Sequence, residues 1–215
     1  SPPPPYAPSE LAAALSSLAG DDAKPEDVAH LRNTGEDGSN LSALQSITAC
    51  RILDYEKMPK PNLDELRRLA SADADRRLNL LATIRSRSPA MCLAAEFKRA
   101  SPSKGPMGID LDPAAQGASY FAAGADVISV LTEERWFRGG LDDLRKIREA
   151  TSAAAERAGR RRPAMLRKDF VVSEHQVYEA AAAGADTVLL IVAVTPRPLL
   201  ARLPAAGRGV GGGGG

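Results

Sequence analysis

Glu96 and Lys98 stand two residues apart where the apolar run Leu93 to Ala95 gives way to charge, and Leu166-Arg167-Lys168-Asp169-Phe170 repeats that transition later in the chain. Residues two apart on a strand project to the same side, so Glu96 and Lys98 share a face. An acid and an amine held together over a low-dielectric interior tune one another's pKa toward acid–base work. Lys168 is the candidate general acid. A partly desolvated ammonium near a second one gives up its proton more readily and can deliver it to a substrate carbonyl. Arg167 alternates to the other side, toward a helical layer. The plainer alternative for Glu96 and Lys98 is a salt bridge on an exposed strand. Recurrence of the pattern at a second strand end favours chemistry.

Other residues bear on the same region. Ser101, Ser103 and Lys104 make an anion-friendly loop, with Gly105 allowing it to bend. Trp136 and Phe137 are adjacent in a chain only 4% aromatic. They either cover a planar substrate ring or staple their loop to the rim, and the sequence leaves both readings open. His30 and His175 lack a Ser or Cys nucleophile partner, Cys92 reads as a small core residue opening a strand, and Arg160 to Arg162 read as a solvated basic run.

The elements that must position these residues follow from periodicity. After Pro89, short apolar runs alternate with Ala-rich helical runs, the pattern of βαβ units on a parallel sheet. Strands are expected over Met91 to Phe97, Val127 to Leu131, Ala164 to Arg167 and Thr187 to Ala193. Helices are expected over Pro113 to Ala123, Leu141 to Ala158 and Ser173 to Ala183, the last capped by Ser173 or Glu174. An internal repeat supports this order: Ala122-Ala123-Gly124-Ala125-Asp126 and Ala182-Ala183-Gly184-Ala185-Asp186 each precede a strand. Each Gly ends a helix where a left-handed residue is needed. Repeated units of this kind build a doubly wound sheet or a (βα)8 barrel, and no Gly-x-Gly-x-x-Gly follows the first strand.

Upstream, residues 41–90 carry apolar positions at helical spacing, such as Leu63, Leu66, Leu69, Leu78, Leu81 and Ile84, and should form two or three amphipathic helices broken at Pro59 and Pro61. Residues 1–40 read as a mostly disordered Pro/Ala/Ser-rich leader with one short helical candidate, Ser9 to Leu18, capped at Ser9. Residues 195–215 read as the start of a helix and then a Gly-rich low-complexity tail.

Composition bounds the partners. Lys and Arg total 28 against 27 Asp and Glu, so no global field draws the chain to nucleic acid or an anionic membrane, and anion binding has to be local. Two distant cysteines argue against a disulfide scaffold or a metal site. No window approaches the roughly 20 apolar residues of a membrane span, so a soluble protein is expected. The sequence leaves its compartment, cytoplasm or plastid stroma, open.

The motif series is similar to one known family. Ala95 to Gly105, Asp110 to Pro113, Val130-Leu131-Thr132-Glu133 with Phe137 and Gly139, Leu166 to Phe170, and Gly184 to Val192 resemble indole-3-glycerol phosphate synthase. The likeness runs from about Leu41 to Val194 and is most specific from Ala94 onward. It implies a (βα)8 TIM barrel preceded by an N-terminal helical extension, represented here by strands one to four, a partial barrel. The implied activity is a cofactor-free and metal-free lyase of tryptophan biosynthesis. It would convert 1-(2-carboxyphenylamino)-1-deoxyribulose 5-phosphate, a small anionic phosphorylated substrate, to indole-3-glycerol phosphate with loss of carbon dioxide and water. By motif position, Lys168 is the general acid, Glu96 and Lys98 assist proton transfer and meet anionic groups, Ser101 contacts the carboxylate, and Phe137 and Phe170 line the aromatic pocket. Fusion to, or association with, other tryptophan-pathway enzymes is left open.

The family pattern continues through four more units carrying a Glu, an Asn-Arg pair and a Gly and Ser phosphate site, none of which follows Val194 here. The 215-residue chain is therefore expected to be inactive alone and prone to associate through strand edges. Two rivals remain at this point. One is another phosphate-binding barrel such as phosphoribosylanthranilate isomerase, which would need a Cys or Asp acid–base pair near the first strand. The other is a non-catalytic half-barrel interaction module.

Overall fold

The computed structural model describes residues 4–20, 24, 26 and 40–210. Among the described residues, four α-helices precede the sheet: α1 (Pro8–Ser17), α2 (Ala43–Lys57), α3 (Leu63–Ala72) and α4 (Leu80–Arg85). Strand β1 (Ala94–Phe97) follows, then a two-stranded hairpin of β2 (Ala100–Ser101) and β3 (Gly105–Pro106). The remaining order is α5 (Pro113–Ala122), β4 (Val127–Leu131), α6 (Leu141–Arg157), β5 (Ala164–Lys168), α7 (Glu174–Ala182), β6 (Thr187–Val188) and α8 (Arg197–Val210). The four long-range strands form one sheet, ordered β1-β4-β5-β6, with every pair parallel. An α/β fold on a parallel sheet is what the alternation of apolar and Ala-rich runs called for.

Its two faces differ. On one, Phe97, Ile128, Val130 and Met165 are at most 1% exposed, buried with Leu144 and Ile147 of α6. Removing side chains of this size from water stabilises by about 1.5–3 kcal/mol each. The register places Glu96, Ser129, Leu166 and Thr187 together on the other face, where all four are only half-buried.

The repeat sets both register and helix ends. Gly124 (φ 86°) and Gly184 (φ 88°) are left-handed, as expected from their place after a helix. In each copy the following Ala reaches back, Ala125 N–H to the Tyr120 carbonyl at 3.0 Å and Ala185 N–H to the Ala180 carbonyl at 2.9 Å. The Asp that closes each copy then clamps the start of a neighbouring strand. Asp126 accepts the Leu93 N–H at 2.9 Å and Asp186 accepts the Met165 N–H at 2.7 Å. A Cβ on Gly184 would stand 2.8 Å from Arg148 Cγ, so close packing adds to the backbone requirement there.

Several expected boundaries move. The first strand begins at Ala94, not Met91, because among the described residues no strand pairs on its other side and the Asp126 clamp sits at Leu93; Met91 is 90% exposed and Cys92 half-buried, outside the strand core assigned to it. The fourth strand is only Thr187–Val188 and turns into a short 3-10 segment at Val192–Val194, since beyond Val188 just Leu189 N–H still pairs with β5, at the Arg167 carbonyl. The Ser101-to-Gly105 loop is a closed hairpin. Arg160 to Arg162 are engaged and not simply solvated: Arg162 chelates Asp186 at 2.6 and 2.8 Å, and Arg161 donates to Thr83 Oγ1 at 3.0 Å.

Within the stretch read as leader, Pro8–Ser17 is helical and buries Leu11, Ala14 and Leu15. Its N-terminal N–H is met by Glu10 Oε2 at Ala7, 2.8 Å, and Ser9 is not the cap. Most of residues 21–39, with His30, lie outside the described residues, as do 211–215 of the Gly-rich tail. Helix α8 extends to Val210, into the stretch read as tail, and buries Leu199, Leu203 and Ala206 with Val171 and Val177. No helix among the described residues is long and apolar enough to cross a membrane.

Candidate functional site

Three charged side chains meet on the half-buried face at the C-terminal ends of two strands. Glu96 leaves β1, Lys98 follows just after it, and Lys168 ends β5. Strand β4 lies between, pairing Ser129 with both Glu96 and Leu166, so Lys168 stands one pleat beyond Glu96 and reaches across β4 to it. Lys168 Nζ donates to Glu96 Oε2 at 2.5 Å and Lys98 Nζ donates to Oε1 at 2.9 Å. The Glu96 carboxyl is thus shared between two ammonium groups. Burial alone would raise its pKa, but hydrogen bonds and attraction from Lys168 and Lys98 outweigh that and hold it below the usual carboxylate range.

The expected aromatic pair is also present. Phe137 and Phe170 rings lie 6.5 Å apart and tilted by 38°. Phe170 follows β5, and Phe137 is fixed by the loop after β4. Here Glu133, 1% exposed, accepts three backbone N–H groups, from Arg135 at 2.9 Å, Trp136 at 2.8 Å and Phe137 at 3.1 Å. Burial pushes the Glu133 carboxyl upward, and these three donors, which lower it, offset that only in part. Trp136 takes the stapling role left open by the sequence, and Phe137 packs against the same cluster. Trp136 is 8% exposed and packs in a cluster with Leu11, Leu15, Ile47, Ile52 and Phe170, joining α1 and α2 to the strand ends. Phe137 stays half-buried. Ser101 sits close by, since the Ala100 N–H donates to the Phe137 carbonyl at 3.1 Å; its own Oγ accepts the Lys104 N–H at 3.1 Å.

The residues flanking Lys168 are used differently. Arg167 and Asp169 are 1% and 2% exposed on the helical side. Asp169 receives Arg51 of α2 in two bonds of 3.1 and 2.8 Å, Arg167 at 2.9 Å and the Thr132 hydroxyl at 2.8 Å. Burial would raise the Asp169 carboxyl, yet Arg167 and Arg51 hold it low. Arg167 continues to Glu179 of α7 at 3.2 Å, and Glu179 accepts the Tyr55 hydroxyl at 3.0 Å. The Tyr55 hydroxyl lies 2.8 Å from His175 Nδ1, so His175 is structural. The Asp169 partnership was missed in the sequence, although Asp169 alternates to the same side as Arg167 and an acid there pairs with it naturally.

A second clasp lies alongside. Asp54 chelates Arg135 at 2.7 and 2.5 Å and accepts the Tyr6 hydroxyl at 2.7 Å. A cavity of about 610 Å³ opens between α2 and the loop after β4, lined in part by Arg51, Asp54, Glu133 and Arg138. Glu96, Lys98 and Lys168 do not line it; they stand on the open face of the sheet. Among the described residues no group of His, Cys, Asp and Glu is arranged to hold a metal ion.

Fold and site together define a parallel βα protein with its convergent charged groups at the C-terminal strand ends, where such folds hold ligands. The chain belongs to the indole-3-glycerol phosphate synthase family, whose profile matches residues 44–212. It is similar to the multifunctional tryptophan biosynthesis protein of Schizosaccharomyces pombe, at 43% identity over 166 residues, covering 75% of this chain and 21% of that protein. Against the indole-3-glycerol phosphate synthase of Mycolicibacterium smegmatis the identity is 45% over 142 residues, covering 66% and 47%. With the enzyme of that name from Desulfosudis oleivorans it is 47% over 119 residues, covering 55% and 41%. The chain spans less than half the length of these relatives.

Proposed function

We propose that this chain carries the acid side of indole-3-glycerol phosphate synthesis, a ring-closing decarboxylation in tryptophan biosynthesis. The observation that carries this is the Glu96 carboxylate bridging Lys168 and Lys98, supplied by two strands with a third between them. In this reading β1, β4, β5 and β6 are the first four strands of a (βα)8 barrel, α2 to α4 are its N-terminal extension, and the half-buried sheet face is the barrel interior. Lys168 protonates the ribulose carbonyl of 1-(2-carboxyphenylamino)-1-deoxyribulose 5-phosphate as the aromatic carbon attacks it. Glu96 holds that ammonium in place and takes part in the later proton transfers, and Lys98 meets an anionic group of the substrate. Ser101 contacts the carboxylate, with Phe137 and Phe170 against the ring. The match to the synthase family supports this over the isomerase alternative. The name of the Schizosaccharomyces pombe relative supports association with, or fusion to, other enzymes of tryptophan biosynthesis.

The 215-residue chain by itself is proposed to bind this substrate without turning it over. Of the carboxylates near the strand ends, Glu133 and Asp169 are buried and committed to structural partners, and Glu96 is held by two lysines. None of these three is without a partner in this arrangement. Incubation of the purified chain with substrate should yield no indole fluorescence, while calorimetry detects binding that Lys168→Ala weakens at least tenfold. Product formed by this chain would overturn the inactivity, and binding indifferent to Lys168→Ala would overturn the assignment of the site.

A further inference from the structure

A second cleft, of about 350 Å³, lies between the β2–β3 hairpin and the loop after β4, lined by Ser101, Ser103, Gly105, Arg135, Trp136 and Arg138 among others. Among the described residues no carboxylate lines it. Its two arginines are not equivalent. Arg135 is already neutralised by two bonds to Asp54. Arg138 is exposed and, among the described residues, makes no hydrogen bond or ion pair with any side chain or carbonyl. Its backbone is also distinctive. At φ 56° it is the one non-glycine residue with positive φ among those described, a conformation that an Arg adopts only at a cost and that tends to occur at functional positions. The Glu133 clasp at Arg135, Trp136 and Phe137 over-determines the loop just before it. A strained backbone therefore holds a guanidinium without a side-chain partner between the larger cavity, which Asp54 and Glu133 line, and this cleft, which has hydroxyl groups and no carboxylate in its lining.

We propose that Arg138 is an oxyanion-binding residue, and that this cleft takes a carboxylate or phosphate group on the Arg138 guanidinium and the Ser101 hydroxyl. A guanidinium offers paired donors matched to either oxyanion. The Ser101 Oγ accepts from the Lys104 N–H, which leaves its own hydrogen to donate. The proposal shares Ser101 with the reading above and extends it by supplying the cation that would fix an anionic substituent there.

Trp136 lines the cleft and is the sole tryptophan, so its fluorescence reports occupancy directly. The full chain is titrated separately with inorganic phosphate and with benzoate at constant ionic strength. A saturable change with either is expected, and which probe gives it tells a phosphate site from a carboxylate site. Arg138→Gly should weaken that binding at least tenfold while keeping the circular dichroism spectrum, because Gly adopts this φ freely. Arg138→Asn, which also tolerates the left-handed region, makes the same comparison should the Gly variant not fold. The absence of saturable binding with both probes, or binding unchanged in the folded variant, would overturn the proposal. If the probes bind through Arg138 while the complete substrate does not bind at all, the oxyanion site stands and the synthase reading fails.

Discussion

Strand β5 sends charged side chains to opposite faces, and the two faces handle charge in opposite ways. On the helical side, Arg167 and Asp169 are almost fully buried and matched: two arginines face two carboxylates, Asp169 and Glu179, with Thr132 and Tyr55 supplying further donors. Lys168, between them in sequence, points to the open face. There its side chain is 39% exposed, and two cations share one carboxylate. A desolvated charge is tolerable only while its partners stay in place, so the buried set ties α2, β5 and α7 together. A partly solvated excess of positive charge holds little stability but can exchange Glu96 for an incoming anion at small cost. One strand thus supplies both a structural clamp and the open-face cluster to which the proposed chemistry is assigned.

The comparison breaks most directly at Asp169. Asp169→Ala would leave the Arg51 and Arg167 guanidinium groups buried beside each other without their shared counter-ion. Removing one member of such a set costs about 3–5 kcal/mol, and urea unfolding should show a loss of that size. A loss under about 1 kcal/mol would mean that α2 is not clamped through this carboxylate.

Acid should act through the same residue. The folded-state pKa of Asp169 lies below its unfolded value, so its contribution is fully present above the unfolded pKa and fades as the pH falls through the folded one. Stability should therefore decline on the acid side of the ordinary carboxylate range, and Asp169→Asn should flatten that decline. Glu133 works with the opposite sign. Its raised pKa means that protonation favours the folded form, so Glu133→Gln should not flatten the acid loss. Matching slopes in the two variants would contradict the division drawn between them.

How far each cluster was legible in the sequence follows from how local its determinants are. Glu96, Lys98 and Lys168 could be placed because strand alternation and strand-end position are properties of a few neighbouring residues. The Gly124 and Gly184 turns were legible for the same reason, since a helix end needing a left-handed residue has a local signature. Arg51, far upstream, could not be assigned to Asp169, because the pairing depends on where α2 docks, and that is set by Trp136, Phe170 and the apolar face of α2 together. Arg162 failed similarly: a basic run after a helix reads as solvated unless Asp186 is known to sit beneath it. The short β6 was misjudged because its apolar text continues through Val194 although pairing with β5 does not.

On the open face the expected stability effects are smaller. Lys168→Ala deletes an ion pair about a third exposed on both sides, worth about 1 kcal/mol or less. Its unfolding midpoint should stay near that of the parent chain, even as substrate binding falls. A loss approaching that of Asp169→Ala would show that Lys168 is part of the clamp, and the functional contrast along β5 would disappear.

Lys98→Met should have the smallest effect on stability and the most informative one on charge. Lys98 contributes one of the two hydrogen bonds that hold the Glu96 carboxyl low, and the one from Lys168 is the larger influence. Deleting Lys98 should move the Glu96 pKa upward, because burial then opposes the Lys168 interaction alone. Unfolding free energy should change by only a few tenths of a kcal/mol, because both groups are partly solvated. A carboxyl-carbon NMR titration of Glu96 in the parent and in Lys98→Met measures the shift without reference to turnover. An unmoved Glu96 would mean that Lys168 alone sets its charge, leaving Lys98 as the cation free to meet a ligand from the outset.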